Sequence, residues 1–189
     1  IFLRKFKNQN YLKICLILSS LFFYGFYEVL FFPLIISSII FNYLLSIQIK
    51  KNKSRKKLFL IFGIIANILV LFSFKYSNFF ISLFISFSEQ EVKFLNLIFP
   101  LALSFFTLQQ ITFLVDNYED DKIKCNFINY CFYVTFFPQL VAGPILLFKN
   151  IYPQLENKSL LKFKLKDQCI GIYLISLGLF KKVIISDFF

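Results

Sequence analysis

Polar side chains that could do chemistry inside a membrane gather in one apolar run. The segment SFFTLQQITFLVD places Gln109, Thr112 and Asp116 at i, i+3 and i+7, so a helix puts them on one face. Polar atoms are costly where they face lipid, and we expect this face to point into the protein. Its side chains would form hydrogen bonds between helices or line a polar route through the protein. Asp116, followed by Tyr118, also fits an ordinary solvated helix end.

A second feature is an uncharged run, residues 127–148, that is interrupted near its middle. Its length suits a bilayer crossing, but it contains Pro138, Gln139, Gly143 and Pro144 in the motif PQLVAGP. Each proline removes a backbone donor and clashes with the preceding turn, which leaves carbonyls without partners. Non-helical backbone at membrane depth is tolerated only where protein or a wet cavity covers it. The run therefore predicts a site or pathway, and the alternative is a plain proline-kinked helix.

Composition identifies the chain as an integral membrane protein. Apolar residues make up 58% of its 189 residues and the mean hydropathy is +0.71, above the share of about half that is typical of soluble domains. The 21 basic side chains outnumber the 10 acidic ones and gather in short loops. Such loops fix orientation and attract anionic lipid headgroups, so nucleic acid is not an expected partner. The predicted fold class is an all-α, multi-pass transmembrane protein with a re-entrant or broken helix.

Short charged segments separate the apolar runs and predict their topology. The loop KKNKSRKK, residues 50–57, should face the cytoplasm. Lys13, in the first run, is expected to snorkel to the surface. The run 95–115 should return to the cytoplasm and end in a mixed-charge loop, residues 116–124. Lysines also follow residue 148, so the broken run would enter and leave on one side. The other predicted apolar segments are 11–27, 29–49, 58–74, the short 79–87, and 169–185.

The residues that are absent limit the chemistry. The chain contains no histidine, the side chain best suited to general base catalysis near neutral pH. Its four cysteines form no C-x-x-C pair, so neither a metal site nor a disulfide framework is predicted. Because it also lacks methionine, we expect the chain to be an internal piece of a longer protein.

Several stretches together resemble the membrane-bound O-acyltransferases, in particular the bacterial alginate O-acetyltransferase branch. PQLVAGP in its flanking context is the most specific of them, and the resemblance covers almost the whole chain. The stretches are LSSLFFYGFYE, FNYLLSIQI, FKYSNFF, PLALSFFTLQQITFLVDNYEDD, NFINYCFYVTFFPQLVAGPI, YPQL and LGLFKKVIISD.

The resemblance implies a multi-pass enzyme of the bacterial inner membrane, of which residues 1–189 form part of one transmembrane domain truncated at both ends. Such an enzyme takes an acyl group, here acetyl, from a cytoplasmic thioester such as acetyl-CoA or an acyl carrier. It delivers this group to hydroxyls of a cell-surface polysaccharide or peptidoglycan, often with an extracytoplasmic esterase-like partner. No tightly bound cofactor or metal is implied. The catalytic histidine is expected beyond Phe189, so the isolated chain should be inactive.

Within that framework the candidate residues take distinct places. Gln109, Gln139 and the backbone around Gly143 would line the donor channel, with Asp116 and Tyr118 at its cytoplasmic mouth. Thr112, Pro138 and Pro144 complete the candidate set.

Other functions stay open at this stage. A transporter or flippase subunit would also use broken helices, although no ionisable residue lies near the middle of a long run to couple ions. A non-catalytic scaffold and D-alanyl transfer to teichoic acid are further alternatives.

Overall fold

The computed structural model describes residues 9–77, 79, 100–121, 123, 126–140, 143–144, 146–157 and 165–187. This part of the chain is helical and contains no strand, which confirms the all-α prediction. The α-helices are α1 (Gln9–Tyr27), α2 (Phe32–Lys51), α3 (Lys56–Lys75), α4 (Leu103–Glu119), α5 (Phe127–Thr135), α6 (Phe137–Leu140), α7 (Phe148–Glu156) and α8 (Leu165–Phe180). Lys181–Ser186 continues α8 as a π-helix.

Four helices in the described ranges are long and apolar enough to cross a membrane. At 1.5 Å per residue, about 20 residues match a hydrocarbon core of roughly 30 Å. These segments are Gln9–Tyr27, Val29–Lys51, Lys53–Lys75 and Leu165–Ser186. The multi-pass prediction is therefore confirmed, while the short predicted segment 79–87 lies, apart from Phe79, outside the described residues.

Local chemistry explains the junction between α2 and α3. Helix α2 starts after a 3₁₀ turn, with Pro33 in its first turn, where the missing N–H of proline costs no hydrogen bond. Lys50 and Lys51 occupy its last turn, where positive charge complements the helix dipole. Helix α3 instead begins with a lysine, Lys56, and this unfavourable charge is paired with Asp121 at 3.1 Å.

Helix α4 is displaced towards the C-terminus relative to the predicted run. The run was expected to begin at residue 95, but residues 100–102 form a turn and the helix starts at Leu103. Ala102 adopts a left-handed conformation with φ of 59°, which stops a helix from continuing through it. At the other end the helix continues to Glu119, so the predicted loop at 116–119 is wrong. Asp116 is 2% exposed, and burial on a packed face explains why the helix continues there.

The chain divides into two compact units, Ile1–Leu155 and Glu156–Phe189. In the first, α2, α3 and α4 pack closely around Gly63, where an added Cβ would lie 2.6 Å from Leu114 and 3.0 Å from Leu45. The absence of a side chain at Gly63 thus lets these helices approach. The second unit is described by α8 and the π-helix, and none of its described side chains is buried.

Candidate functional site

The two ends of the first unit are distinguished by charge. Lys56, at the start of α3, pairs with Asp121 at 3.1 Å, and its ammonium lies 4.8 Å from the centre of the Tyr118 ring. The hydrogen bond from Lys56, together with its charge, holds the pKa of Asp121 below its ordinary value. The C-terminal end of α4 therefore lies beside the basic loop 50–57. We call this side of the unit the basic end.

The predicted interruption of the run 127–148 is present. Helix α5 starts after Asn126, whose side chain caps the Ile128 N–H, and ends at Thr135. After Phe136 the short α6 runs to Leu140, and the described residues between there and Phe148 are not helical. A single straight helix is thus excluded. We call residues 126–147 the hairpin.

The hairpin starts and finishes at the basic end. Near its start, Asn129 accepts a hydrogen bond from Lys13 of α1 at 2.7 Å. Just after its end, the N–H of Lys149 donates to Asp116 of α4 at 2.9 Å. Midway, the Phe137 N–H donates to Ser20 of α1 at 3.3 Å. Ser20 lies seven residues beyond Lys13, or about 10 Å along α1, so the hairpin goes inward and comes back. This is the path of a re-entrant element.

A tyrosine joins the two limbs of the hairpin to α4. The Tyr133 hydroxyl, on α5, lies 3.1 Å from Thr112 Oγ1 and donates to the carbonyl of Leu146 in the returning limb. The helix break leaves that carbonyl without a helical partner, and such a group needs cover in a membrane. Tyr133 therefore stabilises irregular backbone, while Thr112 beside it donates to the Gln109 carbonyl of its own helix at 2.8 Å.

The PQLVAGP motif folds back on itself. The Gln139 side-chain amide donates to the Pro144 carbonyl at 3.1 Å, and the Gly143 N–H donates to the Gln139 carbonyl at 2.9 Å. A Cβ on Gly143 would lie 2.7 Å from the Gln139 Cα and 2.8 Å from its carbonyl oxygen. Because these atoms belong to the backbone, they cannot move aside as a side chain would. Glycine is required there by close approach.

Two glutamines of α4 are buried and only partly satisfied: the Nε2 of Gln110, like one atom of Gln109, has no hydrogen-bond partner among the described residues. Gln110 accepts hydrogen bonds from Ser38 and, at 2.8 Å, from Asn42, both on α2. Asn42 also exchanges hydrogen bonds with Asn67 of α3, at 2.7 and 3.2 Å. Gln109 is 2% exposed, yet in the described part of the structure its Oε1 has no hydrogen-bond partner. It is thus a buried acceptor available to another group.

Comparison with known proteins finds relatives that are all named as enzymes of O-acetylation. The peptidoglycan O-acetyltransferase of Helicobacter pylori is 38% identical over 96% of this chain and 40% of its own length. Proteins named "probable alginate O-acetylase AlgI" from Pseudomonas aeruginosa and Pseudomonas putida are 29% and 28% identical over 95% of the chain. The chain is a homologue of bacterial O-acetyltransferases. The resemblance to membrane-bound O-acyltransferases is confirmed.

The extent of the match is limited on the side of the relatives. This O-acetyltransferase homologue spans about two fifths of the length of the curated relatives it matches. No family model matches the chain, and no solved structure matches it significantly.

The homologue brings most of the predicted site residues into two groups. Gln109 and Asp116 are buried and Thr112 is partly buried, all on the inward face of α4, and Thr112 and Asp116 contact the hairpin or its continuation. Gln139, Gly143 and Pro144 meet at the fold of PQLVAGP. Pro138 is exposed at the start of α6, and Tyr118 contacts Lys56 apart from both groups. Their channel and mouth roles stay predictions.

Sequence reasoning missed several residues that hold this site. Lys13 does not snorkel: it is 8% exposed and donates to Asn129 and to the carbonyl of Leu155 at 2.8 Å. A snorkelling lysine needs water within reach, and here protein acceptors take its place. Asn42 and Asn67 were also missed, although single asparagines inside apolar runs are a signal of interhelical hydrogen bonds.

Proposed function

We propose that the protein is a membrane O-acetyltransferase that moves an acetyl group from a cytoplasmic thioester to hydroxyls of a cell-surface glycan. Peptidoglycan is the acceptor we favour, because the relative named for it is 38% identical, against 29% for one named for alginate. Acetyl-CoA or an acyl carrier would be the donor. The enzyme would lie in the inner membrane, with an extracytoplasmic esterase-like partner.

The hairpin is the observation that carries this proposal. A donor and an acceptor on opposite sides of a bilayer can react only where the membrane is penetrated. The hairpin goes inward from the basic end and returns, with its carbonyls covered by Tyr133 and its own Gln139. Such backbone is typical of protein that borders a cavity rather than lipid.

The candidate residues would share the work within this channel. Gln109 would offer its buried, unpartnered Oε1 to a donor group, and Gln139 and Gly143 would shape the channel wall. Asp116 and Tyr118, at the basic end, would stand at the cytoplasmic mouth. A histidine outside this chain would act as general base on the acceptor hydroxyl.

The test uses the complete gene product in bacterial membranes, with radiolabelled acetyl-CoA and isolated peptidoglycan. Wild-type membranes should label the glycan. Replacing Gln139 with Leu should reduce the rate at least about tenfold, because the contact that shapes PQLVAGP is lost. Gln48→Leu, the same change at an exposed position of α2, is the matched control and should keep the wild-type rate.

Each other outcome points elsewhere. Normal transfer by a well-folded Gln139→Leu variant would remove Gln139 from the channel. Labelling only with a D-alanyl carrier would redirect the proposal to teichoic acid. Movement of an unmodified glycan lipid across the membrane without acetylation would favour the flippase reading.

A further inference from the structure

Helix α7 is held at its two ends by side chains of opposite charge. At its start, Asp116 of α4 accepts from the Lys149 N–H at 2.9 Å. Near its end, the Lys13 ammonium of α1 donates to the Leu155 carbonyl at 2.8 Å. These are backbone groups that a helix terminus leaves without internal partners. Both charges also have the sign that the helix dipole favours at that end.

Both of these charged groups are buried. Asp116 is 2% exposed and Lys13 is 8% exposed. Taking a charge out of water is costly unless hydrogen bonds compensate it. Lys13 makes two such bonds of known geometry, to Leu155 and to Asn129 at 2.7 Å. Its burial is thus tied to these partners.

One ammonium therefore bonds both the inward limb of the hairpin and α7, the helix that follows its returning limb. Asn129 lies in α5, where the hairpin goes inward. Leu155 lies in α7, which follows directly where the hairpin ends at Leu147. Helix α7 is also weak by itself, because it has nine residues and Pro153 removes one of its internal donors. Its position is determined by partners at its ends.

We propose that Lys13 is a positioning residue of the hairpin, acting together with Asp116 through α7. Lys13 sets the separation of α5 and α7, while Asp116 fixes the start of α7 and with it the end of the returning limb. The catalytic consequence of this role depends on the proposed acetyl transfer, but the positioning itself does not.

Cys131 provides a local reporter in the complete gene product. It lies in α5 two residues from Asn129 and is buried at 9% exposure. With every other cysteine replaced by Ser, its rate of modification by a maleimide in detergent reports opening of the hairpin. Lys13→Met should raise this rate about tenfold or more, since hydrogen bonds from a charged donor are lost. Lys13→Arg keeps the charge and should restore most of the protection.

Asp116→Asn should raise the same rate by a smaller factor, because the amide oxygen can still accept from the Lys149 N–H. The effect of the double variant should be less than the product of the single effects, since both side chains act on one short helix. Lys166→Met and Asp167→Asn are the matched controls, at exposed positions of α8, and should leave the rate unchanged.

A second reporter separates positioning from general loosening. Ala66→Cys, in an otherwise cysteine-free protein, places a thiol at a partly buried position of α3, the helix that packs against α2 and α4. Lys13→Met should leave its labelling rate unchanged. Equal increases at both reporters, or no increase at Cys131, would overturn the proposal. If the Lys13→Met protein does not accumulate, Lys13→Gln serves as the second variant with the same expected result.

The acetyl-transfer assay distinguishes this proposal from the proposed function. Increased labelling of Cys131 together with an inactive wild-type protein would retain the positioning role and reject acetyl transfer. Acetyl transfer by the wild-type protein together with unchanged Cys131 labelling in Lys13→Met would retain acetyl transfer and reject the positioning role. If both proposals hold, Lys13→Met should lower kcat more than it raises KM, because it disturbs geometry rather than donor binding.

Discussion

The trio α2, α3 and α4 and the hairpin solve the same problem, polar groups in an apolar surrounding, in different ways. In the trio the polar contacts are neutral: Asn42, Asn67 and Gln110 bond to one another across three helices. The hairpin and α7 have neutral contacts too, but they also use two charged groups: Lys13 donates to the Asn129 side chain and the Leu155 carbonyl, and Asp116 accepts from the Lys149 N–H.

The difference follows from what each region has to hold. The trio consists of regular helices whose backbone is already satisfied, so side-chain amides need only each other. The hairpin has interrupted backbone, which bonds partly to its own side chains, Tyr133 and Gln139, and partly to side chains outside it such as Ser20. Rigid helices thus provide the frame, and the irregular backbone that the proposed reaction would use is attached to it at a few identified points.

The largest effect on stability is expected from a large side chain at Gly63, where α2, α3 and α4 approach one another most closely. Gly63→Leu should lower the free energy of unfolding by about 3 kcal/mol, because even a Cβ there lies 2.6 Å from Leu114 and 3.0 Å from Leu45. Thermal unfolding in detergent measures the loss. Gly171→Leu, at a glycine with nothing within 4 Å, should unfold like wild type. Equal midpoints for all three proteins would mean that the trio is not closely packed.

Breaking the amide network should cost less. Asn42→Leu and Asn67→Leu should each lower the free energy of unfolding by roughly 1–2 kcal/mol, since each leaves buried partners unsatisfied. The double variant should lose less than the sum, because it removes both halves of one pair. The same unfolding assay applies, with Asn52→Leu at an exposed position as control. Strict additivity would argue against a connected network.

At the hairpin, stability and activity should separate. Gly143→Ala places a Cβ 2.7 Å from the Gln139 Cα, so the fold of PQLVAGP must change. Because Gly143 is not in the buried core, we expect a loss below about 1 kcal/mol in unfolding. Glycan acetylation should nevertheless fall at least about tenfold. Gly178→Ala is the matched control, and a fully active Gly143→Ala variant would contradict the role of this backbone.

The smallest effect concerns the exposed ion pair at the basic end. Lys56 lowers the pKa of Asp121, first by hydrogen bonding and then by charge. The folded-state pKa is thus below the unfolded value of about 4. Its contribution to stability is present above that value and is lost as the pH falls through the folded-state pKa. Asp121→Asn should remove this small pH dependence from the unfolding midpoint. If the midpoint of Asp121→Asn falls on acidification as much as that of wild type, other carboxylates cause the pH dependence.

Much of the fold was predictable from sequence because bilayer thickness sets the length of an apolar run. The hairpin was predictable as well, since Pro138 and Pro144 each remove a backbone donor and Gly143 between them adds flexibility. The inward face of α4 followed from the helical spacing of Gln109, Thr112 and Asp116. Composition and spacing along one run contain all of this information.

The contacts of the site were not predictable in the same way. Whether Lys13 reaches water or protein depends on Asn129 and Leu155, which lie 116 and 142 positions further along the chain. The start of α4 depends on the left-handed conformation of Ala102. That conformation is usually adopted by glycine or asparagine, so an alanine gave no signal of it in the sequence. The pairing of Asn42 with Asn67 required knowing that α2 and α3 place them at the same depth.

The bond between Lys13 and Leu155 also sets an order of biosynthesis. Lys13 leaves the ribosome well before the carbonyl that accepts its hydrogen bond, which is 142 residues later in the chain. Domains emerge N-terminus first, at roughly 5–20 residues per second, so the first helix waits many seconds before this acceptor is made. The contact between α1 and α7 consequently forms only after nearly all of the first compact unit has been synthesised.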